Sequence, residues 1–334
     1  MFIKNSFQIK FLPNLLSLHM SVLITGASGF IGSRACFQFT RNGFDVIATS
    51  RSLNSFNPNI KNIIIPFIDS STDWSSALHN VDSVVHLAGR AHVLRDSELD
   101  PLSVYRQVNV DGTIALAMQA AQTGCRRFIF VSSIKVSGEH TSNSKPFKAT
   151  DPPMPIDAYG VSKYEAELGL MNIANSSSME IIIVRPPLVY GPGVKGNFRT
   201  LIKLLAAGIP LPFANIINNR RSLISVDNLV DFLGHCISCP VESNGVFLVS
   251  DNDDVSTAEL LIKLGNAIGH SARLFPLPSG FLETASILLR RRDLYQKMCS
   301  SLIVDSTPAQ SLLGWSPPNS FDEGLLSLVN DIAK

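Results

Sequence analysis

An apolar strand that runs directly into a glycine-rich turn constrains the fold of this chain more than any other feature. The segment Ser21-Val-Leu-Ile-Thr25 is followed by Gly26-Ala-Ser-Gly29-Phe-Ile-Gly32, and a helical pattern continues over residues 33–42. Glycines at this spacing let backbone N–H groups at a helix N-terminus approach the pyrophosphate of a dinucleotide. A plain tight turn would also use glycines, but the preceding strand favours the dinucleotide site. The predicted contacts are Gly26, Ser28, Gly29, Phe30, Ile31 and Gly32.

Apolar runs alternate with helical patterns through the first half of the chain. The strand-like runs cover residues 21–25, 45–49, 62–68, 83–87, 127–131 and 180–184, and the clearest helical patterns cover residues 104–123 and 159–174. Near-continuous apolar strands between crossover helices are typical of a parallel sheet that is covered on both faces. The sequence therefore predicts an α/β fold of the Rossmann type, with a doubly wound parallel sheet.

A tyrosine and a lysine four residues apart, Tyr159 and Lys163, lie in one of these helical patterns. Residues at this spacing share a helix face. The ammonium can therefore lower the pKa of the phenol, which is normally about 10, so that the tyrosine can exchange a proton near neutral pH. A solvated lysine beside a half-buried tyrosine would give the same spacing. Together with the glycine turn, however, the pair indicates hydride chemistry on a carbonyl or an alcohol.

The glycine turn and Tyr159-x-x-x-Lys163 together resemble the extended short-chain dehydrogenase/reductase family, and within it the nucleotide-sugar epimerases, dehydratases and ketoreductases. The resemblance runs from about Ser21 to the C-terminus. Its further motifs are His86-Leu-Ala-Gly89, Asn109-Val-Asp-Gly-Thr113, Ser132-Ser133, Arg185-Pro186 with Val189-Tyr-Gly-Pro192, and Arg221-Ser-Leu-Ile-Ser-Val-Asp-Asn228. An ordered set of this kind is far more specific than any one member.

The resemblance implies a catalytic trio of Ser133, Tyr159 and Lys163. Ser133 would hold the reacting oxygen beside Tyr159, and Lys163 would contact the nicotinamide ribose as well as tune the phenol. Asn109 would stabilise the position of the active-site helix. The resemblance also places Asp69 near the adenine, Leu87, Ala88 and Gly89 beside the nicotinamide, and Asn197 and Arg221 at the diphosphate of a substrate. Arg220 adjoins Arg221, and the sequence does not decide which of the two is merely solvated.

The residue at the end of the second strand bears on the choice of cofactor. The strand ends Ala48-Thr-Ser-Arg51, without the acidic residue that usually holds the ribose 2′-hydroxyl of NAD. An arginine can instead receive a 2′-phosphate. Arg51 therefore favours NADP over NAD, although an arginine that is simply solvated would look the same.

Similar enzymes build a substrate lobe from C-terminal pieces, which implies a division of this chain. Residues 20–190, with residues 226–251 returning to the sheet, would form the NAD(P)-binding domain, and residues 191–225 and 252–334 a smaller substrate lobe. Residues 1–19 contain Lys4 and Lys10 but lack the long apolar stretch and cleavage site of a signal peptide. We expect a disordered extension or an untranslated segment before Met20.

Composition excludes several classes of partner. Charged residues make up 16% of the 334 residues and the formal net charge is +1, so no long-range field attracts nucleic acid or a membrane surface. No apolar run reaches the roughly 18 residues of a transmembrane helix. Five scattered cysteines indicate a reducing cytoplasm rather than a disulfide framework. Cys236-Ile-Ser-Cys239 lacks a second pair, so we expect ordinary helix cysteines and no metal site.

The resemblance implies NAD(P)-dependent hydride transfer at carbon 4 of a UDP-hexose or a UDP-N-acetylhexosamine, in the biosynthesis of surface polysaccharides. A homodimer is one assembly that it allows. Arg51 tilts the expectation modestly toward reduction of a UDP-4-keto sugar, with 4-epimerisation as the alternative. A non-catalytic NADP-binding regulator and a steroid or flavonoid reductase are further alternatives. Two departures from the epimerase pattern leave the sugar open: Lys135 replaces a small or hydroxyl residue, and the segment after Arg185 lacks the usual asparagine.

Overall fold

The computed structural model of the protein describes residues 20–52, 60–91, 100–142, 145–194, 196–239, 244–288 and 292–332. The expectation about residues 1–19 falls outside these ranges. Within them, no helix is both long and apolar enough to cross a bilayer.

Seven parallel strands form the central sheet. The strands of this sheet and of a separate two-stranded pair are, in chain order, β1 (Ser21–Thr25), β2 (Asp45–Ser50), β3 (Lys61–Ile64), β4 (Ser83–His86), β5 (Arg127–Val131), β6 (Glu180–Arg185), β7 (Leu188–Tyr190), β8 (Leu223–Ser225) and β9 (Gly245–Leu248). Their order across the sheet is β3-β2-β1-β4-β5-β6-β9, while β7 and β8 pair separately. Leu23 of β1 lies opposite Ile47 of β2 and Val84 of β4. This arrangement confirms the Rossmann-type fold.

Helices cover both faces of the sheet. They are α1 (Phe30–Arg41), α2 (Ser75–Leu78), α3 (Pro101–Arg106), α4 (Gly112–Gln122), α5 (Ala158–Ser176), α6 (Asn197–Ala206), α7 (Val226–Ser238), α8 (Thr257–Ile268), α9 (Ser279–Leu288), α10 (Arg292–Cys299), α11 (Thr307–Leu313) and α12 (Phe321–Ile332). A π-helical segment, Gln107–Asp111, joins α3 to α4, and a 3-10 turn, Ile134–Val136, follows β5.

The alternation of side chains along β1 produces two cores. Ile24 packs in a buried cluster with Phe39 of α1 and Phe232 of α7. Leu23 points to the other face and packs with Leu116 of α4 and Leu170 of α5. Each such side chain contributes about 1.5–3 kcal/mol by leaving water, so the apolar strands secure both helical layers.

Two predicted elements differ from those observed. The third strand ends at Ile64 rather than at residue 68, because Pro66 has no N–H group to continue the ladder. The helix predicted over residues 104–123 is instead α3, the π segment and α4. Hydrophobic periodicity averages over a window and does not reveal a single extra residue.

A third core lies in the C-terminal half, where Tyr190, Phe198 and Phe321 pack together. Buried Asp251 links this core to the sheet: it accepts hydrogen bonds from Tyr190 Oη at 2.7 Å and from Asn228 Nδ2 at 2.7 Å. Strand β9 lies beside β6 in the central sheet, within the stretch that was expected to return to it. The division into domains itself stays a prediction.

Candidate active site

The glycine turn lies at the carboxyl end of β1, where the strand order reverses and folds of this type bind ligands. Gly26 has φ +66°, and a Cβ on it would lie 2.8 Å from the backbone N of Ala88. A Cβ on Gly32 would lie 2.2 Å from the carbonyl oxygen of Gly26. Both positions therefore require glycine, and α1 begins at Phe30 directly beside the turn. The free N–H groups of its first turn can receive a pyrophosphate.

The segment after β4 is held against this turn. Thr25 Oγ1 accepts hydrogen bonds from the backbone N of Leu87 and of Ala88, each at 3.2 Å, and contacts Nδ1 of His86 at 2.7 Å. Burial lowers the pKa of His86 to about 3, so the imidazole stays neutral at physiological pH. The structure thus brings Leu87 and Ala88 to the glycine turn, and their place with Gly89 beside a nicotinamide stays a prediction.

The predicted proton-transfer residues meet at the carboxyl end of β5. Ser133 is the N-cap of the 3-10 turn that follows β5, and its hydroxyl hydrogen-bonds the phenol of Tyr159. Tyr159 lies in the first turn of α5, which Asp157 caps by accepting a hydrogen bond from the backbone N of Gly160 at 2.7 Å. A hydroxyl and a phenol in contact can both hydrogen-bond the same substrate oxygen.

Lys163 lies one turn further along α5 and is buried. Its Nζ is 4.0 Å from the ring centroid of Phe130, and a Cβ on Gly89 would lie 3.9 Å from it. Lys163 therefore lies beside the segment that was expected to border the nicotinamide.

Burial controls the ionisation of this pair. It raises the pKa of Tyr159 to about 12, against the hydrogen bond from Ser133. It also lowers the pKa of Lys163 to about 7, against the charge of Glu167. The pKa of Tyr159 is therefore raised, whereas the spacing to Lys163 predicted that it would be lowered. The free-energy cost of burying a phenolate exceeds the stabilisation that its neighbours provide.

Asn109 lies within the π-helical segment and links two parts of the site. Its Nδ2 donates to Ser162 Oγ and to the carbonyl of Arg90, both at 3.0 Å, and its Oδ1 accepts from the backbone N of Arg90 at 2.7 Å. The loop after β4 is thereby tied to α5 next to Lys163. π-helical segments often occur at functional sites, but no residue pattern predicted this one.

A buried ion pair behind Tyr159 and Lys163 was missed by sequence reasoning. Glu167 accepts from Arg185 Nη2 at 2.6 Å and from Ser132 Oγ at 2.5 Å, and Arg185 Nη1 donates to Ser137 Oγ at 3.1 Å. It connects the ends of β5 and β6 to α5. Glu167 lies four residues after Lys163 on the same helix face, and this spacing could have identified it from the sequence.

The two predicted residues at the adenine side differ in their surroundings. Arg51 directly follows β2 and is exposed. The carboxylate of Asp69 accepts hydrogen bonds from the hydroxyl and the backbone N of Ser71, both at 2.8 Å, and these bonds lower its pKa. Asp69 thus stabilises its own turn, and its proximity to an adenine stays a prediction.

We expect Arg51→Asp to weaken the binding of NADPH and to strengthen that of NADH, because a carboxylate repels the 2′-phosphate and accepts from the free 2′-hydroxyl. A change of about 10-fold in the affinity ratio corresponds to one charge-assisted hydrogen bond. Fluorescence titration with each cofactor measures the ratio, and Arg41→Asp on α1 is a control for surface charge. Equal ratios in all three proteins would remove Arg51 from the cofactor site.

The structure distinguishes the two predicted arginines of the substrate side. Arg220 forms an exposed ion pair with Glu259 at 3.1 Å. Arg221 donates to the carbonyl of Ser300 at 3.0 Å, and burial lowers the pKa of its guanidinium. Among the described residues, no carboxylate pairs with Arg221, so it is the better candidate for an anion. Helix α6 begins at Asn197, but the side chain of Asn197 lies outside the described part of the structure.

Cys236 and Cys239 belong to the core. Both side chains are buried, their carbonyl groups accept hydrogen bonds from Arg127, and burial raises the pKa of the Cys236 thiol. They pack as core residues.

Comparison with known proteins extends these observations. Residues 22–249 match the model of the NAD dependent epimerase/dehydratase family. A UDP-glucose 4-epimerase of Vibrio cholerae is 44% identical over 305 residues, which cover 91% of this chain and 93% of that protein. An N-acetyl-α-D-glucosaminyl-diphospho-ditrans,octacis-undecaprenol 4-epimerase of Escherichia coli O157:H7 is 27% identical and covers the same shares.

Among solved structures, UDP-glucuronic acid 4-epimerase from Bacillus cereus, in complex with NAD, superposes with a TM-score of 0.75. Its identity is 22%, with 94% of this chain and 96% of that chain covered, so it supports the fold alone. The family description confirms the expected nicotinamide dinucleotide. The preference for NADP over NAD stays a prediction.

Proposed function

Because the chain belongs to the NAD-dependent epimerase/dehydratase family, we propose that it inverts carbon 4 of a UDP-linked hexose, interconverting UDP-glucose and UDP-galactose. The contact between Ser133 and Tyr159 at the crevice of the sheet carries this proposal. It gives the chain an acid/base residue with a hydroxyl partner at the same edge of the sheet as the turn that suits a dinucleotide. The name of the 44% identical relative supports carbon 4 of UDP-glucose as the reacting position.

The hydride of carbon 4 would pass to a nicotinamide dinucleotide bound at the glycine turn and, once the 4-keto sugar has turned over in the site, would return to the opposite face of that carbon. The chain's own residues handle the proton and the geometry. Tyr159 Oη takes the proton of the 4-hydroxyl during oxidation and gives it back to the 4-keto oxygen during reduction. Ser133 Oγ hydrogen-bonds the same oxygen. Lys163, beside Gly89, would hold the hydroxyls of the cofactor ribose.

The diphosphate of the substrate would bind at Arg221. The guanidinium of Arg221 is half-buried and pairs with no described carboxylate. Binding an anion would stabilise it more than it would stabilise a solvated guanidinium, because its surroundings screen the charge less. Free N–H groups at the start of α6 would add to this site.

The relatives favour epimerisation over the net reduction that Arg51 led us to expect. An epimerase removes and returns the same hydride, so it gains by retaining its cofactor, whereas a reductase must exchange it in each cycle. Arg51 is exposed at the end of β2 and does not by itself require a 2′-phosphate. Reduction of a UDP-4-keto sugar is therefore the second candidate.

Incubation with UDP-glucose, and separately with UDP-N-acetylglucosamine, tests the proposal. We expect the galacto isomer to appear over many turnovers with no reduced cofactor added, and faster from UDP-glucose. The two rates also decide which substituent at carbon 2 the site accepts.

Two results would overturn the proposal. One is NADPH consumption with a UDP-4-keto-6-deoxy sugar and no isomerisation of either substrate, which would make the chain a reductase. The other is tight cofactor binding without turnover of any nucleotide sugar, which would favour a regulator.

A further inference from the structure

Lys135, one of the two departures from the epimerase pattern, contacts Ser133 and the N-cap residue of the helix that carries Tyr159. Its backbone N donates to Ser133 Oγ at 3.3 Å. Its Nζ forms an ion pair with Asp157 and lies 3.4 Å from Glu139 Oε1. One residue thus contacts both Ser133 and the residue that begins the helix of Tyr159.

Asp157 has two roles at that position. Its Oδ1 caps α5 through the backbone N of Gly160, while its Oδ2 pairs with Lys135. Tyr159 is only two residues further along the chain. Any displacement of the Asp157 carboxylate would therefore move the first turn of α5, and the phenol with it, relative to Ser133.

The same carboxylate also acts on Tyr159 through its charge. Among the described residues, Ser133, Asp157 and Tyr105 act on the phenol, and the ring centroid of Tyr105 is 6.2 Å from that of Tyr159. Lys163 follows on the same helix, and Glu139 lies against Lys135 rather than against the residues named for the phenol. Of these groups, Asp157 and Tyr105 raise the pKa of Tyr159 and Ser133 lowers it. The Lys135 side chain is 25% exposed and that of Asp157 39% exposed, so their mutual attraction is partly protected from solvent.

We propose that Lys135 is a positioning residue for Tyr159, which holds the Asp157 carboxylate in place at the start of α5 and offsets its negative charge. The inference rests on the proposed function only in that Tyr159 exchanges the proton. The ammonium of Lys135 acts through Asp157.

Lys135→Met tests the inference through the pH profile of kcat. Without the ammonium, the Asp157 carboxylate raises the pKa of Tyr159 further, so the limb on which kcat rises with pH should move upward by roughly one pH unit. At neutral pH this shift lowers kcat by about 10-fold, with KM little changed. Lys135→Arg keeps the ion pair and should retain the original limb. Lys145→Met removes an exposed lysine from the same part of the chain and serves as the control.

A double substitution isolates the role of the carboxylate. In the Asp157→Asn background, Lys135→Met should no longer move the limb, because no negative charge remains to offset. A rise in KM with an unmoved limb would overturn the inference and make Lys135 a sugar contact. An equal upward shift of the limb with and without the Asp157 charge would also overturn the inference.

Ultraviolet titration of tyrosinate keeps the test independent of turnover. The difference between each variant and its Tyr159→Phe counterpart reports the ionisation of Tyr159 alone, and it should show the same upward shift in Lys135→Met. If the unsubstituted chain turns over no nucleotide sugar but the titration shifts, the proposed function fails and the positioning role stands. An unshifted titration in a folded Lys135→Met protein overturns the positioning role.

Discussion

Tyr159→Phe is expected to lower kcat by on the order of 10²-fold or more while leaving the affinity for the cofactor unchanged. The substitution removes the phenol that hydrogen-bonds Ser133 and keeps the ring that packs against Tyr105. The ring fills the same volume, so the first turn of α5 should stay in place. Steady-state turnover together with fluorescence titration of the cofactor measures both quantities.

Tyr164→Phe, on the same helix, is the matched control and should retain normal turnover. Undiminished turnover in Tyr159→Phe would remove Tyr159 from the mechanism. Loss of cofactor binding together with turnover would instead show that the phenol is required for the shape of the site.

Gly32→Ala should weaken cofactor binding by on the order of 10²-fold, which corresponds to about 3 kcal/mol. An added Cβ would lie 2.2 Å from the Gly26 carbonyl oxygen and 2.8 Å from the Ala27 Cα, so α1 must move away from the turn. That movement withdraws the N–H groups that would receive the pyrophosphate. Calorimetric titration with NAD measures the loss.

Gly280→Ala provides the control, because Gly280 lies in α9 and a Cβ there meets nothing within 4 Å. Thermal unfolding of both variants without cofactor separates a local effect from a loss of the fold. Normal NAD affinity in a folded Gly32→Ala protein would contradict the proposed role of the turn.

The parts of the site that sequence predicted are those set by short-range geometry. The spacing of Gly26, Gly29 and Gly32 and that of Tyr159 and Lys163 follow from one turn and one helix, so their neighbours are known once the element is known. The alternation of apolar strands with helices likewise specified the sheet, since a parallel strand needs a crossover.

What the sequence did not show depends on burial and on distant partners. The shifted pKa values of Tyr159 and Lys163 come mainly from desolvation, and residue spacing does not report desolvation. The contact of Lys135 with Asp157 spans 22 residues of chain. The sequence showed that Lys135 was unusual, but only the structure showed which group it pairs with.

The π-helical segment Gln107–Asp111 limits how the length of this chain can vary. A π turn closes its hydrogen bond one residue later than an α turn, so this segment holds one residue more than the same turn of an α-helix would. Deleting that residue would restore α-helical bonding with little rotation of α3 against α4, but it would remove the widened turn from which Asn109 reaches both Ser162 and the carbonyl of Arg90. An alignment of chains that share these Asn109 contacts should therefore keep the extra residue, and a one-residue gap here should coincide with a change at Asn109.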